Sequence, residues 1–125
     1  MNAVLIDTSF AMSCAEFRID YFAEIRKLLP TAELGTIDNV IKELDKLGEG
    51  RSKKAMTARL ARTLINKVPV IITNSRGHTD NLLLERANQD VIIATQDMAL
   101  KRRLRAKKLP LIDIRQKKYL QLIGL

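Results

Sequence analysis

Short apolar, β-branched runs recur along the chain with helix-length segments between them, and this alternation limits the folds open to it. Val4-Leu5-Ile6, Leu34 to Ile37, Pro69 to Thr73, Val91 to Ala94 and Leu109 to Ile114 read as five short strands. Runs such as Val91-Ile92-Ile93-Ala94, with no polar alternation, suit strands buried on both faces. Between them the spacing predicts helices over 16–29, 39–47, 52–66 and 79–88, another after Asp97, and a short C-terminal helix from Gln116 to Leu122. Phe17, Tyr21, Ile25 and Leu28 keep helical spacing up to Pro30. Asp38 and Ser52 are placed as N-caps, and Met56, Leu60 and Leu64 as the inner face of the 52–66 helix. Strands alternating with helices predict an α/β fold, three layers (α/β/α) around a central, mostly parallel five-stranded sheet. Such sheets bind ligands at the carboxyl ends of their strands, near the point where strand order reverses.

The 125 residues suit one domain, 1–125, long enough to fold without cross-links. A single cysteine, Cys14, excludes an internal disulfide or a cysteine zinc cage and fits a reducing compartment. The apolar runs are too short to span a bilayer, and Met1 to Asp7 reads as a first core strand, not a signal peptide. The expected location is cytoplasmic. The net charge of +8, from 22 basic and 14 acidic residues, favours a polyanionic partner, nucleic acid ahead of membrane.

Against that charge stand four acids, three of which the alternation sends toward one sheet edge, with Glu43 the less forced placement. Asp7 ends the first strand and Asp97 the fourth, while Asp80 opens the helix after the third. Glu43, one turn beyond Val40, flanks a buried stripe. Asp80 also suits an N-cap, and Glu43 a solvent-facing position. Carboxylates beside buried strands must be capped, paired or liganded, and four in one cleft repel each other. A divalent cation resolves that repulsion, and an all-oxygen set suits Mg²⁺ or Mn²⁺, one or two ions per site. The lone histidine, His78, sits in turn composition and disfavours zinc. An acidic cage of this kind can polarise a phosphodiester and supply a hydroxide to cleave it. Ser9, Thr8 and Thr95 are placed to hold its carboxylates or waters, or to cap backbone.

Directly after Asp97 comes a basic block. Lys101, Arg102, Arg103, Arg105, Lys107, Lys108, Arg115, Lys117 and Lys118 stand against one acid, Asp113. Lys101, Arg102, Arg103 and Arg105 are the expected RNA-binding residues, through phosphate contacts that position the strand.

Asp7-Thr8-Ser9, Glu43, Asp80 and Thr95-x-Asp97 resemble the acidic quartet of PIN-domain nucleases, over nearly the whole chain. The stretch Ile93 to Arg105, with Pro110 and Arg115 to Tyr119, is similar to the small-subunit-processome branch, whose members act on ribosomal RNA precursors. The resemblance implies a five-stranded parallel sheet between helices and Mg²⁺- or Mn²⁺-dependent cleavage of single-stranded RNA. It makes Asp7, Glu43, Asp80 and Asp97 the catalytic and metal-binding set, supported by Ser9 and Thr95, and suggests a homodimer. One departure stands out: an aspartate of that branch is here Asn81, which puts a second-metal ligand in doubt.

Two other ribonuclease-fold readings compete, a toxin held by an antitoxin and a non-catalytic RNA-binding scaffold. A phosphoryl-receiver domain would need an aspartate where the third strand ends Ile72-Thr73-Asn74 and a lysine ending the fifth, and has neither. A dehalogenase-type phosphatase would need Asp-x-Asp where Asp7-Thr8-Ser9 stands.

Overall fold

The computed structural model describes residues 2–124. Its elements are β1 (Ala3–Ile6), α1 (Thr8–Phe17), α2 (Tyr21–Leu28), β2 (Glu33–Ile37), α3 (Asp38–Leu47), α4 (Lys53–Leu64), β3 (Val70–Ile71), α5 (Thr79–Arg86), β4 (Val91–Ala94), α6 (Met98–Ala106), β5 (Leu111–Arg115) and β6 (Tyr119–Ile123), with a 3₁₀ turn at Ile65–Lys67. The six strands form one sheet in the order β3-β2-β1-β4-β5-β6. Neighbours from β3 to β5 are parallel, and β6 is antiparallel to β5. Consecutive residues Val4, Leu5 and Ile6, and Ile92, Ile93 and Ala94, are buried, so both faces of the sheet centre are covered. The chain winds from β1 to β2 in one direction and from β4 to β5 in the other. The switch point therefore lies between the carboxyl ends of β1 and β4, where Ile6 faces Ala94.

The alternation is as the sequence predicts, with a sheet of six strands where five are expected, and several elements differ in their limits. The segment expected as one helix over 16–29 contains the end of α1 and all of α2. Arg18 takes a left-handed conformation (φ 57°, ψ 44°) and ends α1, with Ile19 N–H donating to the Cys14 carbonyl, and Asp20 then caps α2 through the Ala23 N–H. Phe17, Tyr21, Ile25 and Leu28 keep step across this break, which hides it from periodicity.

The C-terminal helix expected from Gln116 to Leu122 is instead a hairpin. Gln116 and Lys117 both have positive φ (53° and 57°), and Lys118 N–H donates to the Arg115 carbonyl. This turn sends β6 back along β5. The third strand shrinks to Val70–Ile71 because the Thr73 N–H donates to Asp38 instead of to a neighbouring strand. Asp38 is not the N-cap of α3. It lies inside the first turn, and its carboxylate takes hydrogen bonds from Thr73 N–H, Thr73 O–H and Asn74 N–H.

Helix α4 is turned relative to expectation. Its inner face is Ala55, Ala58 and Ala61, packed toward α1 and α3, while Met56 (59%), Leu60 (47%) and Leu64 (37%) are exposed. Small side chains let helices approach closely, and α1 answers with Ala11, Cys14 and Ala15, all buried. Ser52 caps α4 as expected, accepting from the Ala55 N–H.

Candidate active site

The switch point opens into a cleft of about 640 Å³, whose lining includes Asp7, Thr8 and Ser9 from the β1–α1 junction, Glu43 from α3, Asp80 from α5 and Asp97 from the β4–α6 junction. The structure thus brings all four expected acids to one cleft. Asp7 and Asp97 are fixed there because each is also an N-cap: Asp7 accepts from Thr8 N–H (2.7 Å), and Asp97 from Leu100 N–H (2.8 Å). The two supporting hydroxyls bridge them. Thr95 donates to Asp7 Oδ2 (2.7 Å), and Ser9 donates to the same oxygen (3.0 Å). The Thr95 hydroxyl also accepts from Asp97 N–H (3.0 Å), while Ser9 Oγ accepts from Gln96 N–H (3.0 Å). One network of short polar groups therefore ties the carboxyl ends of β1 and β4 together and aims the Asp7 carboxylate. Across the cleft Thr8 O–H donates to Glu43 Oε1 at 2.7 Å.

The electrostatics follow from crowding and burial. Burial pushes the Asp7 carboxyl from 3.8 up to about 6, against the lowering effect of the Thr95, Ser9 and Thr8 hydrogen bonds. Asp80 is also raised, first by burial, then by the nearby charges of Asp97 and Glu43, with Arg103 and His78 opposing. The site therefore favours a bound cation. Its donors are all oxygen, the chemistry of hard divalent ions. Among the described residues, however, no three His, Cys, Asp or Glu side chains converge closely enough to hold an ion directly. The acids share the cleft without meeting at a point.

Several residues of the cleft had not been expected there. Met12, Ser13 and Glu16 come from α1, and Lys53, Lys54 and Thr57 from α4. Glu16 lies on the same turn-spaced side of α1 as Ser9 and Ser13, a spacing visible once α1 is recognised as a helix. A smaller recess of about 450 Å³ adjoins the cleft, sharing Glu43, Asp80 and Asp97 and adding His78, Thr79, Asn81 and Arg103.

The basic residues divide. Arg102, Arg103 and Arg105 are exposed on α6. Lys101 is turned inward, where its ammonium lies 3.0 Å from Asp113 Oδ2, with side chains 11% and 3% exposed. Position 101 falls between the core residues Leu100 and Leu104, so its ammonium is occupied inside the fold and not offered to a ligand.

A family model described as "PIN like domain" matches residues 4–117. The chain belongs to the PIN-like domain family. Ribonuclease VapC4 of Methanocaldococcus jannaschii is 28% identical over 131 residues, covering 100% of this chain and 99% of the relative. Among solved structures, that titled "Structure of the PIN domain endonuclease Utp24" superposes with a TM-score of 0.80 at 24% identity, covering 98% of this chain and 92% of that one. The six-stranded sheet and its flanking helices are thus a PIN-like fold, and the four acids occupy its switch-point cleft. Among the described residues no helix is long and apolar enough to cross a membrane.

Proposed function

We propose that this PIN-like protein is a metal-dependent endoribonuclease that cleaves single-stranded RNA, with precursors of ribosomal RNA as its substrates. The observation that carries the reading is that Asp7, Glu43, Asp80 and Asp97 line one cleft bordered by basic side chains. Asp7, Glu43, Asp80 and Asp97 would hold Mg²⁺ or Mn²⁺, partly through waters, which suits acids that face one cleft without converging. The ion would supply Lewis acidity at the phosphate and an activated water. The chain's own groups do the rest. Ser9 and Thr95 keep the Asp7 carboxylate aimed into the cleft, and Thr8 does the same for Glu43. Exposed Arg102, Arg103 and Arg105 on one side, and Lys53 and Lys54 on the other, hold backbone phosphates and draw a single strand across the acids. The basic block after Asp97 supports the ribosomal RNA assignment.

A second reading, a toxin-type PIN ribonuclease held by an antitoxin, is favoured by the full-length match to a ribonuclease named VapC4 and by the exposed apolar stripe of Met56, Leu60 and Leu64. That stripe offers a second protein chain, antitoxin or another copy, a place to dock.

The test is Mn²⁺-supported cleavage of precursor ribosomal RNA fragments and, in parallel, of tRNA. Glu43→Gln and Asp80→Asn are the better controls, since neither side chain caps a helix. Each is expected to abolish cleavage while leaving RNA binding within about twofold. Cleavage confined to tRNA would favour the toxin reading. Salt-sensitive RNA binding with no cleavage under any divalent ion would leave a scaffold and sink the enzyme.

A further inference from the structure

The recess beside the acids holds a cation that belongs to the chain. Arg103 Nη1 donates to Asn81 Oδ1 at 2.7 Å, tying α6 to α5 at the rim of the cleft. Glu43, Asp80 and Asp97 line the same recess. Yet among the described residues Arg103 forms no ion pair within 4.0 Å. Its one partner is a neutral amide. A carboxylate at 81 would make a bidentate pair with the guanidinium and cancel its charge, whereas an amide oxygen takes one N–H and leaves the charge intact. The arrangement fixes a full positive charge beside three carboxylates and keeps most of its donors open.

We propose that Arg103, held by Asn81, is a catalytic residue that grips the non-bridging oxygens of the scissile phosphate. The proposal rests on the reading of the cleft as a phosphodiester-cleaving site. The guanidinium fork matches phosphate geometry, and a fixed cation stabilises charge developing on those oxygens without having to be recruited. The same residue pair explains why the chain carries asparagine at 81. An acid there would add a metal donor and at the same time neutralise the arginine. Neighbouring Arg102 and Arg105 lie outside this recess, so their role is to hold flanking phosphates.

The experiment uses the full chain as wild type, Arg103→Gln and Asn81→Asp. Mn²⁺ binding is measured by calorimetry, binding of adenosine 5′-monophosphate is measured on the Mn²⁺-loaded protein, and single-turnover cleavage is followed on a single-stranded RNA oligonucleotide. Arg103→Gln should bind Mn²⁺ no more weakly than wild type, lose at least about tenfold in nucleotide affinity, and slow cleavage on the order of a hundredfold. Asn81→Asp should show the same loss of nucleotide affinity, because its carboxylate occupies the guanidinium. Unchanged nucleotide affinity in Arg103→Gln overturns the proposal. A purely structural tie between α5 and α6 would lower the unfolding temperature and leave nucleotide affinity alone. If no RNA is cleaved but Arg103→Gln still loses the nucleotide, the nuclease reading fails and the phosphate contact at Arg103 stands.

Discussion

Asp7 is asked to be both buried and charged. It is 3% exposed, it caps α1, and the cation-binding reading needs it ionised. Burial raises its carboxyl from 3.8 to about 6, so without a metal its contribution to stability is fullest below about pH 4 and is lost as pH rises through about 6. That shift corresponds to roughly 3 kcal/mol. Asp38 has the opposite sign. Burial alone would raise it, but its hydrogen bonds from Thr73 and Asn74 hold it down at about 2, so its contribution is present above about pH 4 and fades as pH falls through 2. Thermal unfolding of metal-free wild type and Asp7→Asn should therefore diverge between about pH 4 and 6, with the variant gaining in relative stability as pH rises. Added Mn²⁺ should close the gap for wild type only, since it binds the ionised form. Parallel curves would mean that Asp7 does not titrate in this range.

At the scale of elements, helix α4 separates what burial does from what hydrophobicity suggests. Ala58 is fully buried where α4 meets α1 and α3, whereas Leu60 is 47% exposed. Ala58→Leu should cost about 2 kcal/mol or more by overpacking, while Leu60→Ser should cost well under 1 kcal/mol, both read by urea unfolding. A large loss at Leu60 in the isolated monomer would mean that the stripe is internal. Hydropathy alone points to the opposite face, since large apolar side chains usually mark a core, and here alanines do. The same small-residue packing concealed α1, whose buried side includes Ala11, Cys14 and Ala15. The strands near the site were legible because β-branched runs bounded by acids leave little choice, and that placed Asp7, Asp80 and Asp97 at one edge; Glu43, in the middle of α3, was less forced. What escaped was set by backbone conformations that the residue types do not announce. Arg18, Gln116 and Lys117 take positive φ without being glycine, and that splits one helix and reverses the C-terminal strand. Lys101 escaped because one position on α6 decides whether a lysine meets solvent or Asp113.

The whole molecule carries a net charge of +8, while five of its 14 acids line the one cleft. Single-stranded RNA should bind with an affinity that falls steeply with salt, and each lost phosphate contact should reduce the slope of log K against log salt by about 0.7. Filter binding on Arg102→Ala and Arg105→Ala should show that reduction one contact at a time. Lys101→Met should leave the slope unchanged, since its ammonium already neutralises Asp113 inside the fold. If Lys101→Met flattens the slope as much as Arg105→Ala does, the strand takes another path over α6.

On the proposed nuclease reading, half of the acidic quartet has a second occupation in holding up the fold, and that bears on descent. Asp7 and Asp97 start helices, so a descendant released from selection for cleavage would still be penalised for losing either one. Glu43 and Asp80 start none and would drift first. In any lineage of this protein, then, inactivity should announce itself at Glu43 and Asp80 while Asp7 and Asp97 still stand, and those two positions are where a silent descendant can be told from a working one.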